Sequence, residues 1–406
     1  MNYMNRRNFV RLAGAVPAAG LLSCYGPGSQ EGSPIRTVSS SYDPWLEIDL
    51  NNIKWNIDLI RNRVNGRPIM AVIKANAYGH GLAEVGKYLE KISIDAIAVG
   101  KLSEGIELRN AGVKCPILNL GPFSDKDAEH IVRNDISQSV YSDNVLALDS
   151  IAGKINKQAK VHINIDTGMG RVGAPFYNAF SFVTDVSNLA NVKIEGVFTA
   201  LTEETEFDVV QLQRLTALCE ELKNRGIDPG LRHAASSAGI LGFDGSYLDM
   251  VRPGICIYGH FPSDKEYDLK KIDLKPALSL KTRVSYVKTL RPGDAISYHQ
   301  KFVAEKEEKV ITASLGYSDG FPYNVLGKTE ALVNGKKFPV FADITANHFY
   351  VNVTGEENVS AGDEIVLIGS QGDEYVGAQE LAIAADTSVY KITIWMNPLL
   401  PRIYKS

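Results

Sequence analysis

Short apolar runs rich in β-branched residues recur along residues 44–275, at 69–73, 96–99, 117–120, 161–165, 194–197 and 255–258. Amphipathic stretches with helical spacing lie between them, as at 81–91, 103–111 and 209–225. Repeated strand–helix units demand a parallel sheet covered by helices, and their number over this length predicts a (β/α)8 barrel. A doubly wound sheet gives the same alternation. Its Gly-x-Gly-x-x-Gly turn after the first strand is missing here, which counts against a dinucleotide fold. After Pro276 the texture changes. Alternating runs at 278–290, 310–314, 331–333, 339–344, 350–353 and 364–368 are separated by turns such as Arg291-Pro-Gly-Asp294 and Ala361-Gly-Asp363. This pattern predicts an all-β domain over 276–406. The fold class is therefore α/β, a barrel domain over 44–275 followed by a C-terminal β domain.

Length and composition agree with two domains. The chain has 406 residues, 45% apolar and 22% charged, ordinary values for a globular protein. A net charge of −4, with no Lys/Arg block interleaved with aromatics, argues against nucleic-acid binding. The four cysteines, Cys24, Cys115, Cys219 and Cys256, lack metal-ligand spacing, so no metal site is expected; the last three read as buried free thiols. Residues 1–24 read as a targeting segment: Asn5-Arg6-Arg7-Asn8-Phe9 precedes an apolar stretch too short to span a membrane. The arginine pair resembles a twin-arginine export signal, and Leu21-Leu22-Ser23-Cys24 resembles a lipobox whose Cys24 receives lipid. An ordinary signal peptide with an incidental cysteine is the alternative. Residues 25–43, rich in Ser, Gly and Pro, read as a flexible tether. The expected location is the bacterial cell envelope, as a periplasmic protein or a lipoprotein anchored only through Cys24.

One strand delivers a chemically distinctive residue. In Ile69-Met-Ala-Val-Ile-Lys74-Ala-Asn-Ala-Tyr78-Gly-His-Gly81 an apolar run ends in a lysine before a Gly-containing turn. A lysine leaving a buried strand loses hydration, which depresses its pKa and makes its amine a nucleophile of the kind that forms Schiff bases. The same short pattern also describes a strand-end lysine snorkelling to solvent. Two later loops fall where barrels bind phosphate, beyond late strands: His233-Ala-Ala-Ser236-Ser237-Ala-Gly239 and Arg252-Pro-Gly254-Ile255.

The full lysine string resembles the pyridoxal-phosphate motif of alanine racemases, and the resemblance covers nearly all of residues 44–406. It implies a pyridoxal 5'-phosphate enzyme that racemises an amino acid, alanine by default, as a head-to-tail homodimer. It implies that Lys74 binds the cofactor covalently and that Ser237, Gly254 and Ile255 hold its phosphate, assisted by Tyr78 and Tyr390. Arg252 would face the pyridine nitrogen with His233 behind it; a guanidinium keeps its proton, so that nitrogen stays unprotonated. Val161-His-Ile-Asn164-Ile-Asp166-Thr-Gly-Met-Gly-Arg171 is similar to the segment that sets Arg171 against the cofactor's phenolic oxygen and the substrate carboxylate. Leu315-Gly-Tyr317-Ser-Asp319-Gly320 is similar to the motif whose tyrosine reaches the partner's site as a second base. Lys74 would then serve the D face and Tyr317 of the other subunit the L face, with Ala346 offering a backbone amide to the substrate.

Several positions depart from the pattern. Ser236 stands for an asparagine, Asn164 for a lysine that some relatives modify, Ala200 for a histidine, and Tyr323 for an arginine. Residues 341–347 replace a Gly-Arg-x-x-Met-Asp string that shapes the substrate pocket. Two other functions therefore stay open: a different reaction on the same cofactor, such as elimination or aldol cleavage, and a catalytically weakened lipoprotein that binds cofactor or amino acid.

Overall fold

The computed structural model describes residues 42–270 and 272–406. The expected leader, most of the tether and Cys24 lie outside the described residues. Seven parallel strands, Met70–Val72, Ala96–Val99, Ile117–Asn119, Ser137–Val140, Ala159–Asp166, Val192–Phe198 and Leu231–His233, follow one another in chain order. Helices connect them, among them Leu82–Lys91, Leu102–Asn110 and Thr205–Asn224. Ring closure comes from residues 249–253. Asp249 N–H donates to Arg232 O (3.0 Å) and Arg252 N–H to Ala235 O (2.8 Å). On the other side Met70 N–H donates to Val251 O and Val72 N–H to Pro253 O, both 2.9 Å.

This corrects one strand assignment. Residues 255–258 are a 3₁₀ turn, Ile255–Tyr258, and the eighth stave lies just before them. Pro253 has no N–H to extend the ladder, and Gly254 (φ −113°, ψ −90°) turns the chain out of the sheet. The four side chains remain buried, so the run carries a strand's apolarity without its hydrogen bonds. Conversely, Ser137–Val140 is a strand too polar to be read as one. Its buried Gln138 donates to Gly121 O (2.8 Å) and accepts from Asn119 Nδ2 (2.8 Å), so the polar side chains satisfy one another inside the barrel.

The second region is a nine-stranded sheet whose spine is Leu278–Leu290. That strand pairs antiparallel with Glu308–Ala313, with Glu364–Gln371 and with Trp45–Asp49. The chain's first described strand thus belongs to this sheet and not to the barrel, although it falls within 44–275. It also runs parallel to the last strand, Arg402–Lys405, with Leu46 opposite Arg402. Two short helices, Ala378–Ala384 and Val389–Ile394, interrupt the C-terminal β domain. One buried cluster is continuous from Ile97 of the barrel to Leu280 and Val351 of the sheet. Of the three thiols expected to be buried, Cys219 and Cys256 are buried and Cys115 is half-buried.

Candidate active site

Lys74 leaves its strand into an unusual turn. Ala75, Asn76, Ala77 and Tyr78 all have positive φ, between 51° and 56°. A left-handed turn of non-glycine residues costs about 1–2 kcal/mol per residue, so neighbouring groups must hold it. Asn76 Oδ1 accepts from Leu82 N–H (2.8 Å). Glu104, buried at the start of the helix Leu102–Asn110, accepts from Ala75 N–H (2.6 Å) with one oxygen; its other oxygen accepts from Gly100 N–H (2.9 Å) and Lys101 N–H (3.1 Å). Gly79 closes the turn at φ 88°, where a Cβ would lie 2.0 Å from Thr393 O. Arg402 donates to Gly79 O (2.9 Å) and Tyr404 to His80 O (3.1 Å).

The turn aims Lys74 into a cavity of about 310 Å³ that Asn164, Arg171, Phe198, Ala200 and Arg252 also line. Burial holds the Lys74 amine below the usual lysine range; the Arg171 guanidinium pushes it the same way and the Glu104 carboxylate opposes. Arg171 rides on a loop fixed by Asp166, whose Oδ1 accepts from Gly168 and Gly170 N–H, both at 3.0 Å. Asn164 supports the same loop, donating to Val172 O (3.4 Å). Ala200 contributes no side chain beyond Cβ to the cavity, and its carbonyl accepts from Gln211 Nε2 (3.0 Å).

Arg252 is 8% exposed. Its Nη2 donates to Thr199 O (2.8 Å) and Ala234 O (3.2 Å), and its Nη1 to His233 Nδ1 (2.7 Å). Phe198 packs on both, stacked against His233 at 4.9 Å and under the guanidinium at 5.0 Å. Burial pushes Arg252 down to about 10, which still leaves it cationic at neutral pH. His233 is held well below the usual histidine range by burial, with the Arg252 charge adding to it, and is neutral.

The two predicted phosphate loops meet. Ser237 Oγ accepts from Gly254 N–H (3.0 Å) and Cys256 N–H (3.3 Å), bringing Ile255 between them. Tyr78 closes over Gly254, where a Cβ would fall 2.6 Å from its hydroxyl. Tyr390, from the helix Val389–Ile394, lies beside Tyr78 with ring centroids 6.0 Å apart. Burial raises both phenols above the usual tyrosine range.

Tyr317 and Ala346 sit together, but apart from this cavity's lining. Tyr317 N–H donates to Thr345 O (3.0 Å) and Ser318 N–H to Ala346 O (3.1 Å). Tyr317 is 57% exposed on the β domain. Lys74, Tyr78, Arg171, His233, Ser237, Arg252, Gly254, Ile255 and Tyr390 therefore converge within the chain, whereas Tyr317 and Ala346 form a separate surface. Sequence reasoning missed Glu104, which looks like a solvated helix acid. Its position three residues after the N-cap Lys101 was the available signal.

The chain resembles known proteins over most of its length. Residues 48–262 match the family described as "Alanine racemase, N-terminal domain" and residues 277–404 that described as "Alanine racemase, C-terminal domain". An alanine racemase of Methanococcus maripaludis is 36% identical over 371 residues, covering 90% of this chain and 99% of its own length. The solved alanine racemase of Clostridium difficile 630 superposes with a TM-score of 0.83 at 33% identity, over 89% of this chain and 96% of that one. A histidine racemase from Leuconostoc mesenteroides superposes with a TM-score of 0.82 at 26% identity, over 90% and 98%.

Proposed function

Because the chain belongs to the alanine racemase family, we propose that it interconverts L- and D-alanine with pyridoxal 5'-phosphate held at Lys74. The residues present fit that cofactor. The cavity presents an amine and two guanidiniums with no carboxylate on its lining, while at the Ser237–Gly254 junction the backbone approaches the Tyr78 hydroxyl so closely that a Cβ at Gly254 would lie 2.6 Å from it. The observation that carries the reading is the convergence of a depressed lysine amine, Arg171 and Arg252 on one cavity, with Tyr78, at the end of the same lysine turn, packed over Gly254.

When bound, pyridoxal phosphate supplies an electron sink that lets a substrate's Cα proton leave. Lys74 would hold the cofactor and, as a free amine, would remove and return the proton on one face of the substrate's Cα. Arg171, on the lining of the same cavity, would pair with the substrate carboxylate and so orient the substrate. Arg252 would offer an N–H donor to the cofactor's ring nitrogen and, as a guanidinium, would give up no proton to it, which would limit how far charge from Cα spreads into the ring. That favours return of a proton to Cα over loss of another group, and argues for racemisation over elimination or aldol cleavage. Racemisation needs a proton carrier on the opposite face. Tyr317 of a second copy fills this role in a head-to-tail dimer; its exposure beside Ala346 and its distance from the chain's own cavity lining support the assignment. The Arg6-Arg7 leader and the Leu21-Leu22-Ser23-Cys24 sequence support export to the envelope and lipid attachment at Cys24.

One observation favours a wider substrate range: Ala200 leaves its side of the cavity without a side chain beyond Cβ. The test is to incubate the cofactor-loaded chain in D2O with a panel of L-amino acids, following Cα deuterium and chiral composition together. Deuterated D-alanine is the expected product, and a second racemised amino acid would establish breadth. Bound cofactor without exchange on any amino acid would overturn the reading in favour of a binding protein.

A further inference from the structure

Behind Arg252 the barrel interior contains more than a single supporting histidine. Arg252 only donates, so His233 Nδ1, 2.7 Å from its Nη1, carries no proton. The His233 proton is therefore on Nε2, which lies 2.9 Å from His162 Nδ1. That nitrogen must accept, which puts the His162 proton on its Nε2. There Glu195 Oε2 stands 4.0 Å away, itself anchored by Ser137 Oγ (2.8 Å). The guanidinium at one end sets the direction of donation through both imidazoles, and the carboxylate 4.0 Å beyond the other end favours the same direction by its charge.

The barrel makes room for this arrangement. His162 lies opposite Gly196 on the neighbouring strand, where the register shifts between Val161 and His162. A Cβ at Gly196 would fall 2.6 Å from His162 Nδ1. His162 and Glu195 line a second cavity of about 800 Å³ at the N-terminal ends of the strands, opposite the Lys74 cavity. The file thus crosses the barrel from one mouth to the other. Burial pushes His162 down to about 3, so neither imidazole adds a second proton that would set donor against donor.

Resting on the reading of Arg252 as the ring-nitrogen partner, we propose that His162, biased by Glu195, is a positioning residue that locks His233 in its Nε2–H tautomer and so keeps Arg252 aimed at the cofactor. Without an acceptor at His162, His233 can move its proton to Nδ1. A donor would then oppose the guanidinium, and Arg252 would lose one of its three anchors.

The test uses the full chain with ¹⁵N-labelled histidine, first without cofactor. Two-bond ¹⁵N–¹H spectra should show His162 and His233 neutral, each with an unprotonated Nδ1. In His162→Phe, His233 should become a tautomer mixture, and the pyridoxal phosphate dissociation constant should rise about tenfold, the loss of one hydrogen bond. His162→Asn, whose amide oxygen can stand where Nδ1 stood, should restore both. A His233 that stays wholly Nε2–H in His162→Phe would overturn the proposal, as would equal impairment of the Phe and Asn variants. If the Phe variant does not fold, Glu195→Gln serves instead: a measurable Nδ1–H population at His162 supports the proposal, and an unchanged spectrum overturns it. The tautomers are read without cofactor or turnover, so a chain that racemises nothing would remove the functional reading alone.

Discussion

Glu104→Gln isolates what keeps Lys74 in place. The carboxylate accepts from Ala75 on one oxygen and from Gly100 and Lys101 on the other. A glutamine offers one oxygen and one NH2, so one side must face donor against donor. Turned toward the two amides, it leaves Ala75 N–H unsatisfied where the left-handed turn begins. A buried unsatisfied amide costs about 1–3 kcal/mol. Ala75, Ala77 and Tyr78, the three of the four positive-φ residues that do not readily adopt this backbone, store about 3–6 kcal/mol in total, so losing this clamp lets the turn relax before cofactor binds. Binding must then rebuild it, and the dissociation constant for pyridoxal phosphate should rise by about 5- to 150-fold. Equilibrium titration of the lysine-bound cofactor's absorbance reads this directly, alongside the melting temperature of the cofactor-free chain. A dissociation constant within twofold of the parent, with unchanged melting, would refute the claim that Glu104 holds the turn.

Other outcomes follow from the same geometry. The rate at which Lys74 captures added cofactor should follow its free-amine fraction, with an apparent pKa below 10.5; Arg171→Gln should move that value up and Glu104→Gln should move it down. A lowered lysine pKa means the folded chain binds fewer protons than the unfolded one between its folded value and 10.5. Stability of the cofactor-free chain should therefore gain a rising component across that window, and pH-dependent denaturation of Lys74→Met should lack it. Gly254→Ala, which sets a methyl 2.6 Å from the Tyr78 hydroxyl, should weaken cofactor binding at least about tenfold, whereas Gly242→Ala, with nothing within 4 Å, should leave it unchanged; a titration of both variants checks the Ser237–Gly254 junction. Tyr317→Phe should keep the cofactor absorbance and slow conversion of L-alanine more than D-alanine, and normal rates in both directions would remove the two-base assignment.

Much of this arrangement was legible because its chemistry sits in contiguous strings. Lys74 ends an apolar run, and Ser237 and Arg252 lie in short strings that match the family motif; without that match, the Ser236-Ser237-Ala-Gly239 loop would read as a surface turn. What stayed hidden depends on three-dimensional neighbours. The turn after Lys74 is legible, but its left-handed backbone over Ala75-Asn76-Ala77 is not, because only Asn76 of these residues tolerates that conformation readily. Residues 255–258 are apolar because they are buried, and burial alone does not separate a strand from a tight turn. Ser137–Val140 carries polar side chains that pair inside the barrel, so its composition points outward while its backbone lies within. His162 alternates correctly for a strand, but its purpose depends on Gly196 across the sheet.

The pairing of Trp45–Asp49 with Arg402–Lys405 has a consequence for how the molecule is made. Arg402 and Tyr404 grip the carbonyls of Gly79 and His80 across sequence separations of 323 and 324 residues. On a ribosome, the reactive lysine emerges long before the residues that complete its surroundings, and the first strand waits for the last. A nascent chain interrupted anywhere in the β domain therefore lacks a finished lysine turn, however well its barrel has formed. The lysine turn thus takes two of its supports from residues translated more than 300 positions after it, so its last hydrogen bonds form only once the strand Arg402–Lys405 has been made.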